Sequence, residues 1–424
     1  MAKVKITGHA SGTGVITVTA PNTSTDRTIT LPDSTGTILD ENSSLPAANI
    51  TGTLPAISGA SLTGVNAVNS GRKNLIVNGG MKVWQRATAA TAAAGGYETI
   101  DRWQFFNGSD GAYTSEKHGM SLAEINTTGH SQAIALNVTT ADTAIAAAQY
   151  AYFSYIIEAQ DLQHLQWGTA AAKDITLSFW VKSKIAGTYY VTLRKKDGTA
   201  YYINRAYTVD VADTWEYKTI TITPTAGSTS LITGAGGIIN NDTGDGLKIY
   251  FGLSWGTNYH TTTDTWATPV DYSASDQVNW MSSTSNDFYL TGVQLEVGSV
   301  ATDFEHRSYG EELALCQRYY QILAEGAGNG IGIGAFYNTA TMYLGPMTFN
   351  TMRATPTFAQ TTGTNYYKYY VAGTGNNFSA FTTSWNIGTN TLLLELGSQS
   401  KTAGHAAMCK TNDSSSRLSL DAEL

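Results

Sequence analysis

The chain has 424 residues, a net charge of −8, 42% hydrophobic residues and only 14% charged residues, where an ordinary globular protein carries about 25% charged. No basic run or Arg-rich face is present, which argues against binding driven by phosphate neutralisation, and no stretch approaches the roughly 18 apolar residues of a membrane span. Cys316 and Cys409 are too few for a disulfide framework and read as buried free thiols.

At roughly 150 residues per domain the length suits about three domains. The N-terminus, MAKVKITGHASG, has no apolar segment behind its lysines, so no secretory leader is expected. Short alternating strands follow in VKITG, GVITVTA, RTITLP and GTILD, separated by turns. The segment SLPAANITGTLPAISGASLTGVNAV repeats Leu-Pro and an apolar-hydroxyl-Gly unit. One aliphatic residue per several positions fits neither an amphipathic helix nor a two-faced strand. Either it is a disordered linker, or three copies wrap a common axis and bury their Ile and Leu only in the oligomer. The trimeric stalk is the preferred reading for residues 1–70.

From residue 71 to 308 the pattern is a large β-domain. KNLIVNGGMKVWQR breaks at Asn78-Gly79-Gly80, a turn or bulge signal. DITLSFWVKS, GTYYVTLRKK, WEYKTITITP, GLKIYFGLSW and DFYLTGVQLEV are its clearest strands, punctuated by Asp197-Gly198 and Asp245-Gly246. Many short alternating strands of this kind predict a β-sandwich or jelly roll. The alanine-rich ADTAIAAAQYAYF reads as an irregular loop entering a strand.

A connector helix is expected over 309–325. Leu313, Cys316, Gln317 and Tyr320 follow i, i+3, i+4, i+7 spacing, with Glu311 and Glu312 at the favoured N-terminal end. Alternating glycines in GAGNGIGIGAF then suit a strand approached closely by another backbone. MYLGPMTF, NYYKYYVA, TLLLELG and RLSLDAEL complete a smaller C-terminal β-domain, 326–424.

Motifs of catalysis are scarce. Asp101, Glu158 and Glu296 are carboxylates without a spacing that pairs them, and the sequence lacks H-E-x-x-H, C-x-x-C and G-x-S-x-G. NNDTGDG, 240–246, gathers oxygen ligands but reads as a β-turn rather than a calcium loop. No catalytic residue, metal or cofactor is expected. Trp180 and Trp215 sit in strand patterns and read as core. Trp255, Tyr259, Trp266 and Trp280 fall in or beside a polar, Asn- and Thr-rich segment. Their rings either stack on sugars or pack the loop onto the sandwich. Tyr366, Tyr367, Tyr369 and Tyr370 are a second aromatic cluster in the C-terminal domain.

KNLIVNGGMKVWQR, IDRW, TLSFWVKS, WEYKTITI and above all GVQLEVGSVATDFEHRSYGEELALCQRYY resemble a family of bacteriophage tail-fibre or receptor-binding proteins. RTITLPDSTGTIL and ANITGTLPA are similar to particle-proximal stalks of such fibres, and LDAEL to a fibre terminus. Asp303 stands where that pattern has proline, predicting a looser turn. The resemblance implies a homotrimeric virion protein with carbohydrate-binding-module-like sandwiches, another virion protein at its N-terminus and a host surface polysaccharide as receptor. Charge and the lack of a long apolar stretch leave no expectation of nucleic-acid binding or membrane insertion. A purely structural virion component, a capsid decoration or baseplate spike without a receptor, is the rival reading.

Overall fold

The computed structural model of the chain describes residues 72–424 except 93, 262–263, 269–271 and 386, so the expected stalk of residues 1–70 lies outside the described residues. The protein is mostly β. In chain order the first strands are β1 (Ala89–Thr91), β2 (Ala94–Gly96), β3 (Trp103–Asn107), β4 (Ala112–Gly119), β5 (Gln132–Thr140) and β6 (Tyr150–Glu158). They continue as β7 (Ile175–Ser183), β8 (Gly187–Lys195), β9 (Tyr201–Val209), β10 (Glu216–Ile222), β11 (Asp245–Trp255) and β12 (Asp287–Val297).

These form two six-stranded sheets, β1-β4-β5-β12-β7-β10 and β2-β3-β6-β11-β8-β9, packed as a jelly-roll-like sandwich. The alternation in each strand decides which side chains meet in the middle. Ile175, Leu177, Phe179 and Val181 of β7 point inward, as do Ile249, Phe251 and Leu253 of β11. Phe153 and Phe251 stack with ring centres 5.0 Å apart, and each buried side chain of this size contributes about 1.5–3 kcal/mol. The alanine-rich stretch before Tyr150 forms no helix, and Asp245-Gly246 is a bulge opening β11 rather than a turn.

The second half begins with a short helix, Tyr309–Gln317, capped by Ser308 Oγ, which accepts from the Glu311 amide. The expected span of 309–325 is therefore too long. Tyr320 lies in a strand, and the helix buries Glu312 and Cys316 rather than a Leu313–Tyr320 stripe. The cause is non-local: Tyr320 pairs with Asp421 near the far end of the chain.

Ten strands follow: β13 (Tyr320–Glu325), β14 (Gly330–Phe336), β15 (Met342–Thr348), β16 (Thr357–Gln360) and β17 (Tyr367–Val371). The rest are β18 (Thr374–Phe378), β19 (Thr383–Trp385), β20 (Thr391–Leu396), β21 (Ala406–Thr411) and β22 (Arg417–Asp421). They build a three-stranded sheet, β13-β22-β16, and a seven-stranded one, β18-β17-β21-β14-β15-β20-β19, around a separate core that includes Met342, Leu344, Tyr367, Tyr369 and Cys409. The described residues nonetheless belong to one compact unit. The chain end returns to the sandwich, where Glu423 pairs with both Arg86 and Arg102, the latter fully buried.

Candidate functional site

The long string from Gly292 begins as the last strand of the sandwich and becomes a buried polar lattice. Gly292 adopts φ +61° at a bulge in β12, so that Val293 donates its amide to the Gly79 carbonyl at 2.9 Å. A side chain at Gly79 would place its Cβ 2.0 Å from the Val293 carbonyl oxygen, which explains the Asn78-Gly79-Gly80 turn. Gln294 Nε2 donates to Glu296 and to the carbonyls of Thr302 and Asp303, while its Oε1 accepts from the Glu305 amide at 2.8 Å. Glu296 in turn accepts from the amide and hydroxyl of Thr302 at 2.8 and 2.6 Å. Arg307 donates to Glu305, Glu312, and the carbonyls of Asn74 and Ile76.

Each buried side chain named in this lattice finds a partner, which offsets the cost of burial and rigidifies the segment. The turn at Asp303 is therefore not loosened by the missing proline, because Gln294 and Lys73 both hold the Asp303 carbonyl.

The held loop forms one wall of a groove of about 530 Å³ on the outer face of the β12–β7–β10 side of the sandwich. Trp180 and Tyr217 line it from the neighbouring strands β7 and β10, their rings 5.3 Å apart, and Tyr217 is 44% exposed. Phe304 and His306 line it from the loop, and His130 from the segment before β5. His130 is buried and lies edge-on to Phe304 at 4.6 Å. A side chain at Gly292 would collide with His130 Nε2, so the bulge glycine also seats this ring.

Burial, with the neighbouring His306 and Lys82, pushes the His130 imidazole down to about 4. Burial and Lys82 lower His306 as well. At neutral pH the groove thus offers flat aromatic faces, two uncharged imidazoles, the Ser178 hydroxyl and a single lining carboxylate, Asp303, while the Thr128 and Thr302 hydroxyls are engaged by Glu124 and His130 and by Glu296 and Lys73. Such a set favours a neutral, hydroxyl-rich ligand with an apolar face.

The structure buries five of the eight candidate rings. Trp266 and Trp280 are core residues, 3% and 0% exposed, and donate their indole N–H groups to the carbonyls of Thr223 and Asp287 at 2.9 and 3.0 Å. Tyr367 and Tyr369 are buried because β17 alternates, turning those two inward and leaving Tyr370 outward. Trp255 is 6% exposed and lies flat against Tyr152 and Tyr272, at 4.8 and 4.4 Å. None of these five can offer a ring face to a ligand.

Tyr259 is half-buried, edge-on to Tyr150 on the opposite sheet, and its hydroxyl donates to the Ala148 carbonyl. Tyr366 and Tyr370 are half-buried in the C-terminal domain. The structure does not bring these three together. Trp180, read as core, is instead half-buried on the outer face. The signal was present: in DITLSFWVKS the inward set is Ile, Leu, Phe and Val, which leaves Trp180 facing out.

The carboxylates weighed for catalysis are engaged elsewhere. Asp101 pairs with Arg86 at 3.0 Å, Glu158 with Arg318 at 2.8 Å, and Glu296 holds the loop. In the 240–246 segment Asp242 accepts from the Gly244 amide, and Asp245 pairs with Arg194.

No family model and no curated protein matches the chain. Among solved structures it is similar to the enzymatically active domain of tailspike protein 4 of bacteriophage CBA120, at 12% identity over 53% of this chain and TM-score 0.26. It spans only 21% of that chain. A family 11 carbohydrate-binding module from Clostridium thermocellum, in complex with a β-1,3-1,4-mixed-linked tetrasaccharide, matches at 11% identity over 50% of this chain and 98% of that one, TM-score 0.25. The tandem CBM22 domain of Paenibacillus barcinonensis Xyn10C matches at 10% identity over 76% and 91%, TM-score 0.24. Likenesses this distant assign neither ligand nor partner to this chain.

Proposed function

We propose that this chain is a bacteriophage fibre protein that adheres to a bacterial surface polysaccharide during host recognition, without cleaving it. The observation that carries the reading is the groove between Trp180, Tyr217 and the Asp303–His306 loop. A sugar ring laid on Tyr217 would bury an apolar face against the phenol while its hydroxyls meet Ser178 or Asp303. The phage context rests on the resemblance carried by residues 292–320 and the stalk-like N-terminal repeats.

Hydrolysis of a glycosidic bond ordinarily uses two carboxylates flanking it, and among the lining residues the groove has one. Adhesion by a single shallow groove is weak, and display on a homotrimer would strengthen it through effective concentration. The virion is the proposed location, with the N-terminal residues meeting another virion protein.

The test is binding of purified full-length protein to an array of bacterial surface polysaccharides, repeated with Tyr217→Ala and Trp180→Ala. Binding that persists at high salt and falls at least roughly tenfold in both variants is expected. Absence of binding by the parent protein, or undiminished binding by both variants, overturns the reading. Shortened polysaccharide chains after incubation would overturn the non-enzymatic part alone.

A further inference from the structure

The outer face of the seven-stranded sheet carries an apolar strip that is uncovered among the described residues. Register places Gly375, Tyr370, Met408 and Ile333 side by side across β18, β17, β21 and β14. Met408 is 52% and Ile333 71% exposed. The adjoining row is Ala406, Ala335, Tyr343 and Glu395, and Tyr337, 73% exposed, packs edge-on against Tyr343. Large side chains in such a contiguous strip are uncommon on a surface that stays in water.

Charge on this face is divided between its two ends. Lys368 and Lys410 lie opposite each other on β17 and β21, their ammonium groups 5.2 and 5.6 Å from the Tyr370 ring. Among the described residues neither forms an ion pair. Glu395 occupies the other end, on β20 beside Tyr343. With strands about 4.8 Å apart, the three steps from β21 to β20 separate Lys410 from Glu395 by about 14 Å or more. They cannot meet within one chain.

A face that is basic at one end, apolar in the middle and acidic at the other complements a copy of itself shifted along the strip. We infer that this face is an interface between copies of this chain, joined head to tail so that Lys368 and Lys410 of one copy meet Glu395 of the next. The small residues Gly330, Ala335 and Ala406 leave the middle of the sheet flat enough for close approach. The inference stands on the C-terminal domain alone and does not depend on what the groove binds.

The experiment is disulfide trapping in the full-length protein carrying both Lys368→Cys and Glu395→Cys, with the two single variants beside it. Native Cys316 and Cys409 are buried, and residues 368 and 395 are too far apart in one chain for the Cα separation of under about 7 Å that a disulfide needs. Mild oxidation of the double variant is expected to give covalent multimers joined through 368 and 395, while each single variant stays uncross-linked. Adding Ile333→Glu at this exposed position, with circular dichroism to check that the fold is kept, should cut the covalent yield roughly tenfold. A monomeric mass at micromolar concentration, an oligomer without the 368–395 disulfide, or equal cross-linking by a single variant overturns the head-to-tail interface.

Discussion

Arg318 grips Glu158 with two parallel hydrogen bonds, Nε to Oε1 at 2.9 Å and Nη2 to Oε2 at 2.8 Å. The carboxylate ends β6 of the sandwich and is fully buried, while the guanidinium follows the helix that opens the second half of the chain. Burial alone would raise the Glu158 carboxyl, but the bonds from Arg318 and Tyr319 outweigh it and hold the group below its usual range. Removing the arginine leaves a buried, unpaired charge. Arg318→Ala should therefore cost about 3 kcal/mol in urea unfolding. Arg318→Lys should recover only part of this, since an ammonium cannot make both bonds. The folded carboxyl is depressed, so this stability is present above pH of about 4.3 and is lost as pH falls below it.

Glu423 performs a similar joining role from the opposite end of the sequence. It pairs with Arg86 and with Arg102, whose guanidinium also lies over the Tyr319 ring at 3.4 Å. Glu423→Ala would leave the fully buried Arg102 without its carboxylate partner, while Arg86 keeps Asp101 and Asp421. We expect a loss of about 3–5 kcal/mol and separation of a single unfolding transition into two, read by calorimetry. One unchanged transition would show that the strand pairing of β13 with β22 suffices to couple the halves.

The strands were legible because alternation is a local property, and it survives in β7, β17 and β20 almost residue by residue. The helix end was not. Nothing between Leu313 and Tyr320 announces that Tyr320 will pair with Asp421, about a hundred positions away. Aromatic residues misled for a related reason. Trp266 and Trp280 stand among polar neighbours, yet each indole finds a backbone carbonyl and folds inward. The groove draws on Thr128, Trp180, Tyr217, Gly292 and Phe304, five separate segments whose meeting is set by sheet order. The 292–320 string carried the family resemblance, not a site, and most of its polar residues hold the loop that walls the groove rather than face a ligand.

The exchange of roles between Trp266 and Trp180 is measurable. Trp266 packs edge-on against Trp167 at 5.5 Å within the core, so Trp266→Ala should cost about 3–5 kcal/mol. Trp180 is half-buried on the groove, and its removal should cost only about 1–2 kcal/mol while abolishing polysaccharide binding. Equal destabilisation by the two changes would return Trp180 to the core.

His130 makes the groove acid-sensitive. Its imidazole titrates at about 4 in the folded protein and near 6.5 in the unfolded chain. Between those values the unfolded state binds the proton that the folded state refuses. Stability is thus complete above about pH 6.5 and falls as the pH drops towards 4. At pH 5 the difference is about 2 kcal/mol. His306 and His164, also lowered by burial, add to the loss in the same direction, so the parent's slope is not His130's alone. The informative quantity is the slope removed by His130→Gln, a neutral side chain of similar reach beside Phe304 and Gly292. Urea unfolding of both proteins at pH 7 and pH 5 should show the parent losing about 2 kcal/mol more than the variant. Parallel losses would mean that His130 accepts a proton in the folded groove as readily as in the unfolded chain.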